Sequence, residues 1–272
     1  MIEVEQDVSA EVAELRGLAV EVRRNTLRLI TEAHYGFIGS CFSCLDLIVC
    51  LGWSKVSRCF ASTAEHGANL VLSKGHAAAV LYAALMEYDE VSHDGKYAAF
   101  GSPLQAHPNS LLYPRVMVSS GSLGQGVPVA VGLALAERLR GRAASTYVLV
   151  GDGEMQTGVV WESLMAAARQ RSIPKLVVLV DANGFQSVGR VDKLDVTSAM
   201  LQAVASVFIE IDGHDIVQIL DALAHCSVSD GLSVIWARTK RGAGLAGFDE
   251  AWPMSSLAEP ELVAAWLAAL GG

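Results

Sequence analysis

Two strand ends carry the side chains best suited to chemistry. The apolar run Thr146 to Val150 passes directly into Gly151-Asp152-Gly153-Glu154, and the run Lys175 to Val180 ends in Asp181-Ala182-Asn183. Glycines on each side of Asp152 let main chain approach a ligand closely. The helix expected over 159–170 begins just beyond, and helix N-termini attract anions. The two ends can therefore bring a carboxylate and a carboxamide oxygen to one point. Magnesium takes about six oxygens, commonly from protein and substrate phosphates together. Asp152, Asn183, a nearby main-chain carbonyl, two diphosphate oxygens and a water would complete that shell. A lone Gly-Asp-Gly is as readily a tight turn. Paired with Asp-x-Asn closing a second apolar strand, it points to a metal–diphosphate site.

The elements that must position these groups alternate. Hydrophobic periodicity predicts an amphipathic helix over about 10–34, with Leu15, Leu18, Val22, Leu27 and Ile30 on one face. A Gly- and Ser-rich segment follows from Gly36 to Ser43, then a buried helix over 44–52. Strands are expected at 69–73, 146–150, 175–180, 206–211 and 233–237, with helices at 77–88, 159–170 and 215–225. Gly121 to Gly126 forms a second Gly-rich turn opening a small-residue helix. Strand–helix alternation implies an α/β fold, a parallel sheet with helices on both faces. Ligands in such folds sit beyond the carboxyl ends of the strands, where the Gly-rich turns lie.

The chain has 272 residues and a formal net charge of −9, with about half of its residues hydrophobic. No linker-like tract divides it, so the expectation is one domain over 1–272 with a helical lead-in. Acidic balance disfavours a nucleic-acid binder, which needs clustered Lys and Arg. The acidic N-terminus is no signal peptide, and no apolar stretch is long enough to span a membrane. Five cysteines, an odd number, suit a reducing cytoplasm. Cys41 and Cys44 form a C-x-x-C without a second pair at zinc spacing, and read as small buried residues.

The segment from Gly151 to Asn183 resembles the thiamine diphosphate motif, and the chain is similar to the N-terminal subunit of a two-component transketolase. The likeness covers roughly residues 10 to 250. It rests on LSKGH (Leu72 to His76), His107-Pro108, GSLGQG (Gly121 to Gly126), GDGE (Gly151 to Glu154), DANGFQ (Asp181 to Gln186) and DGHD (Asp212 to Asp215), in the family's order. The resemblance implies thiamine diphosphate as cofactor, with magnesium or calcium held by Asp152, Asn183 and the Phe185 carbonyl. It sets Gly151, Gly153 and Glu154 against the diphosphate, and Gly121, Ser122, Leu123 and Gly124 toward the aminopyrimidine side. It turns His76 and His107 to the thiazolium ring and the substrate. It also assigns a role to Glu162, where similar enzymes carry acidic side chains at the interface between subunits and coupled carboxylates can share protons. Each has a plainer alternative: His76 as a helix cap, His107 and Glu162 as solvated side chains. His214 is expected to be structural.

In this family a glutamate on a separate pyrimidine-binding domain activates the cofactor, and that domain normally follows this one. The chain ends at Gly272, so the resemblance implies a separate C-terminal subunit carrying that glutamate, in an α2β2 heterotetramer acting on a small-molecule substrate. Three positions depart from the family pattern. Phe37 stands where a Gly-His pair is usual, Thr157 replaces an acidic residue, and Pro253 follows Trp252 where a histidine is usual. Imidazoles polarise carbonyls and move protons near neutral pH; Phe and Pro do neither. The expectation is a divergent two-carbon transferase or acyloin-type carboligase of specialised metabolism. Alternatives are the alpha subunit of a 2-oxo acid dehydrogenase or decarboxylase, which LSKGH and GSLGQG disfavour, and a non-catalytic, regulatory cofactor-binding subunit.

Overall fold

The computed structural model of the chain describes residues 2–61, 68–89, 96–169, 175–250 and 258–271. Its strands, in chain order, are β1 (Asn69–Leu72), β2 (Thr146–Gly151), β3 (Leu176–Ala182), β4 (Phe185–Gln186), β5 (Gly189–Arg190), β6 (Val207–Asp212) and β7 (Leu232–Arg238). Five of them pair in parallel in the order β1-β2-β3-β7-β6, and β4 and β5 form a separate antiparallel hairpin. β2, β3 and β7 are rich in Val, Leu and Ile and buried on both faces, which is what parallel pairing under helices requires.

The helices are α1 (Ile2–Ala33), α2 (Ile38–Ser43), α3 (Leu45–Trp53), α4 (Ala78–Asp89), α5 (Gly126–Leu139), α6 (Gly158–Arg169), α7 (Leu194–Val204), α8 (Ile216–Ser227) and α9 (Pro260–Ala269). Side-chain alternation along the strands divides them into two layers. Tyr147, Leu149, Val177, Leu179 and Ile235 face α1, α2, α3, α4 and α8. Val148, Val150, Val178, Val180 and Trp236 face α5, α6 and α7. Fully burying a Leu or Ile stabilises by about 2 kcal/mol, and α1 alone buries Leu15, Leu27 and Ile30. Among the described residues, no helix is long and apolar enough to cross a membrane.

The structure corrects the sequence reading in three places. α1 starts at Ile2 rather than near residue 10, because nothing before Gly17 breaks the helix. The Gly- and Ser-rich segment contains α2, whose small side chains are all buried. The α7 helix and the β4–β5 hairpin were not expected. The helix after Asp152 starts at Gly158, one residue from the expected 159, and a 3-10 turn over Asp152–Gln156 precedes it. The C-x-x-C thiols are buried, and burial pushes Cys41 up to about 12. They are small core residues, as expected.

One polar network ties α1 and α3 to the sheet. Both Asp46 carboxylate oxygens accept from Arg23 Nη2 at 2.7 Å. His214 Nδ1 lies 2.8 Å from Asp46 Oδ2, and its Nε2 accepts from the Lys240 main-chain N–H at 2.9 Å. An Nε2 that accepts fixes the proton on Nδ1, so Nδ1 donates to Asp46. His214 is structural. Removing one member of a buried ion pair leaves the other charge uncompensated. Asp46→Ala is expected to lower the unfolding free energy by about 3 kcal/mol, measured by urea denaturation.

Candidate active site at the carboxyl ends of three strands

Sheet register sets the site. Gly151 of β2 pairs with Asp181 of β3, and Leu72 of β1 pairs with Leu149. The Ser73 N–H continues the ladder to the Leu149 carbonyl at 2.8 Å. Residues leaving the three strands therefore emerge at one level. They wall a cavity of about 230 Å³ with Phe37, Lys74, His76, Leu123, Gly151, Asp152, Gly153, Glu154, Asn183 and Phe185 among its lining.

Glu154 holds the turns together. Its Oε1 accepts from Ser73 Oγ at 2.7 Å and from the Gly124 N–H at 2.9 Å. Its Oε2 accepts from the Gly151 N–H at 2.8 Å. Burial raises its pKa, and these three donors oppose the rise. The carboxylate is thus committed to the turns it joins, although Glu154 also lines the cavity. Glycines make the close approach feasible. A methyl group on Gly75 would stand 2.8 Å from the Gly121 nitrogen, and one on Gly124, whose φ is +76°, would collide with Thr157 Oγ1. Thr157 Oγ1 donates to the Glu154 carbonyl at 2.7 Å.

Asp152 is buried, and its oxygens accept from the Gly153 N–H at 2.8 Å and the Gly184 N–H at 2.6 Å. Burial, then the neighbouring Asp181 carboxylate, raises its pKa to about 7. Asn183 Oδ1 accepts from the Phe185 N–H at 3.0 Å. Phe185 opens the β4–β5 hairpin, with the Arg190 and Arg241 guanidiniums 4.8 Å and 5.1 Å from its ring centre. A carboxylate, a carboxamide oxygen and a hairpin carbonyl form an oxygen-only donor set suited to a hard divalent cation. Among the described residues, no cluster of three or more His, Cys, Asp or Glu side chains forms a metal cage. A buried carboxylate that resists ionisation while the nearby Lys74 ammonium pairs with Asp181 fits a site that takes a cation.

His76 follows Lys74 in a 3-10 turn, Gly75–Ala77, and meets the Phe37 ring edge-on at 5.4 Å. Burial, then the Lys74 charge, lowers its pKa to about 3, so it is neutral at physiological pH. His107 is not among the cavity-lining residues. Its ring packs on Gly121, burial lowers its pKa, and its carbonyl accepts from Tyr82 at 3.3 Å. Gly121 and Ser122 are exposed at the edge, while Leu123 reaches the cavity. Glu162 is exposed on α6, away from the cavity lining. Trp252 and Pro253 lie outside the described residues.

Beneath the cavity lies an ion pair that the motifs did not single out. Lys74 Nζ pairs with Asp181 Oδ2, and their side chains are 1% and 0% exposed. Burial would raise the Asp181 pKa, but the Lys74 charge, with hydrogen bonds from Lys74, Ser43 and Thr239, holds it below the usual range. The available signal was a lysine closing one apolar strand and an aspartate closing another.

Residues 18–254 match the family described as transketolase, thiamine diphosphate binding domain. The chain belongs to this transketolase family. An apulose-4-phosphate transketolase subunit of Actinobacillus succinogenes is 34% identical over 180 residues, covering 64% of this chain and 65% of that protein. The corresponding subunit of Phocaeicola vulgatus is 31% identical, and 62% of its length is matched. Both matches span less than two thirds of those relatives. A 6-deoxy-6-sulfo-D-fructose transketolase subunit of a Clostridium species is 29% identical over 89% of this chain and 90% of its own length. Campylobacter jejuni transketolase shares the fold, with a TM-score of 0.81 at 23% identity over 94% of this chain and 42% of that one.

Two outcomes follow for the transketolase-family site. Glu154→Ala strips the acceptor from two main-chain N–H groups and a serine hydroxyl, and is expected to cost about 3 kcal/mol, measured by urea denaturation. The second concerns pH. The folded pKa of Asp152, about 7, lies above its ordinary value of 3.8. The folded state thus holds the extra proton between those values, and Asp152's contribution to stability falls as pH rises through them. Asp152→Asn removes this dependence. The variant-minus-native difference in metal-free unfolding free energy is expected to grow by about 2.5 kcal/mol from pH 5 to 8.

Proposed function

We propose that this chain is the diphosphate-holding subunit of a thiamine diphosphate-dependent, transketolase-like transferase. It works with a separate subunit that supplies the pyrimidine domain and its activating glutamate, in an α2β2 assembly. One observation carries the reading: Asp152, Asn183 and the Gly-rich turns around Gly75, Gly124 and Gly153 converge on one cavity at the ends of β1, β2 and β3. Family membership, and relatives named as transketolase subunits, support it.

In this reading Asp152, the Asn183 amide oxygen and the Phe185 carbonyl hold magnesium or calcium. Gly151, Gly153 and Glu154 line the part of the cavity that takes the diphosphate. Gly121 to Gly124 face the aminopyrimidine side, and Glu162 faces the partner. When bound, thiamine diphosphate supplies a carbon nucleophile and an electron sink for the bond beside a carbonyl. His76, held neutral, offers a hydrogen bond to a substrate oxygen without carrying charge, and His107 stands at the rim. The chain forms a single unit over 1–272.

The reaction is transfer of a two-carbon ketol or acyl unit from a ketose-like donor to an aldehyde or related acceptor. Phe37 gives the wall beside His76 an aromatic face, which offers a sugar hydroxyl no partner. This favours a divergent carboligase over a sugar-phosphate transketolase.

The test is turnover by the chain together with its pyrimidine-domain partner, and cofactor titration by calorimetry with and without that partner. Asp152→Ala is expected to lower turnover and cofactor affinity about 100-fold. Equal turnover by Asp152→Ala would favour a regulatory subunit. Tight cofactor binding by the isolated chain would overturn the shared site. Efficient ketol transfer from xylulose 5-phosphate would overturn the altered specificity.

A further inference from the structure

Asn183 can serve a metal through only one end of its side chain. Its two ends differ by a 180° turn of the amide, and a metal needs the oxygen. The surroundings of the amide decide which end it presents. Asn183 Nδ2 lies 3.2 Å from Asp181 Oδ2 and 3.2 Å from Ser43 Oγ. The first neighbour is a carboxylate, which accepts only. The second already donates to that carboxylate at 2.6 Å, so it too faces the amide as an acceptor. On the opposite end, Asn183 Oδ1 meets the Phe185 N–H, which donates only. A reversed amide would set oxygen against two acceptors and NH2 against a donor.

Asp181 holds this arrangement because it is itself held. Lys74 and Ser43 donate to its Oδ2, and Thr239 donates to its Oδ1. Lys74 Nζ directs its other donors to the Ser40 carbonyl at 3.2 Å and Ser43 Oγ at 3.4 Å. The ammonium is therefore engaged beneath the cavity, and with Ser43 and Thr239 it fixes the Asp181 carboxylate in place.

We propose that Asp181, anchored by Lys74 and assisted by Ser43, is a positioning residue that locks the Asn183 amide with its oxygen toward the metal. This rests on the metal site proposed above. Groups that orient a metal's ligands without touching the metal typically contribute 10- to 100-fold in affinity. Thr239 serves as an internal control. Its hydroxyl donates to the same carboxylate through the other oxygen, whereas the Asn183 amide meets Oδ2 and Ser43.

The experiment titrates Mn2+ into the full chain assembled with its pyrimidine-domain partner and thiamine diphosphate, against the cofactor alone, reading free Mn2+ by electron paramagnetic resonance. Native protein and the Asp152→Ala, Asp181→Asn, Ser43→Ala and Thr239→Val variants are compared. Melting in EDTA and far-ultraviolet circular dichroism check that each is folded. Expected are loss of the site in Asp152→Ala, about 10- to 100-fold weaker binding in Asp181→Asn, about tenfold weaker in Ser43→Ala, and a change within about threefold in Thr239→Val. Should Asp181→Asn fail to fold, Ser43→Ala against Thr239→Val decides. Native affinity in Ser43→Ala, with Asp152→Ala inactive for Mn2+, would overturn the lock and leave the metal site standing. Equal losses in Ser43→Ala and Thr239→Val would also overturn the lock. A native chain that binds Mn2+ no better than Asp152→Ala would overturn the metal site and the lock together.

Discussion

The Glu154 carboxylate joins three turns that the chain reaches at widely separated points. Ser73 follows β1, Gly124 lies before α5, and Gly151 ends β2. A buried carboxylate is costly unless its lone pairs are filled, and here each donor comes from a turn that borders the cavity. The sheet sets the height at which the strands end. Glu154 sets how the loops beyond them lean together. Remove it and the glycine contacts at Gly75 and Gly124 lose the bond that holds them closed, so the cavity depends on an interaction that is itself turned away from any ligand.

The charges beneath the cavity divide the same way. Two aspartates leave adjacent strands, and one lysine, just after β1, neutralises one of them. Asp181 takes the ammonium and stays ionised. Asp152 receives only main-chain N–H groups and is pushed toward its neutral form. The two carboxylates are thus chemically distinct before anything binds. One is satisfied within the protein, and the other has an unmet demand for positive charge.

How far this was legible in the sequence follows from the range of each interaction. Continuous Val and Leu runs announce β2, β3 and β7, because strands covered on both faces need apolar side chains at every position. GDG and D-x-N announce Asp152 and Asn183, because the residues and their strand are contiguous. The α2 helix stayed hidden because Ile38–Ser43 is rich in small residues that are equally at home in a turn, and tertiary burial alone makes it helical. The 3-10 turn after Gly151 stayed hidden because it depends on where the Glu154 side chain finds its partners. The Lys74–Asp181 pair joins residues 107 positions apart, and no local pattern reports such a distance.

The glycine contacts also divide the cavity into parts with different freedom to change. Gly75 and Gly121 touch through main chain, and no side chain can shift to admit a methyl group between them. Phe37, Leu123 and Ser187 border the same space with side chains that no equivalent contact constrains. Random substitution therefore meets a rigid anchor on one side and a tolerant wall on the other. A lineage can exchange what borders that wall, one residue at a time, while the main-chain contact on the other side is inherited whole.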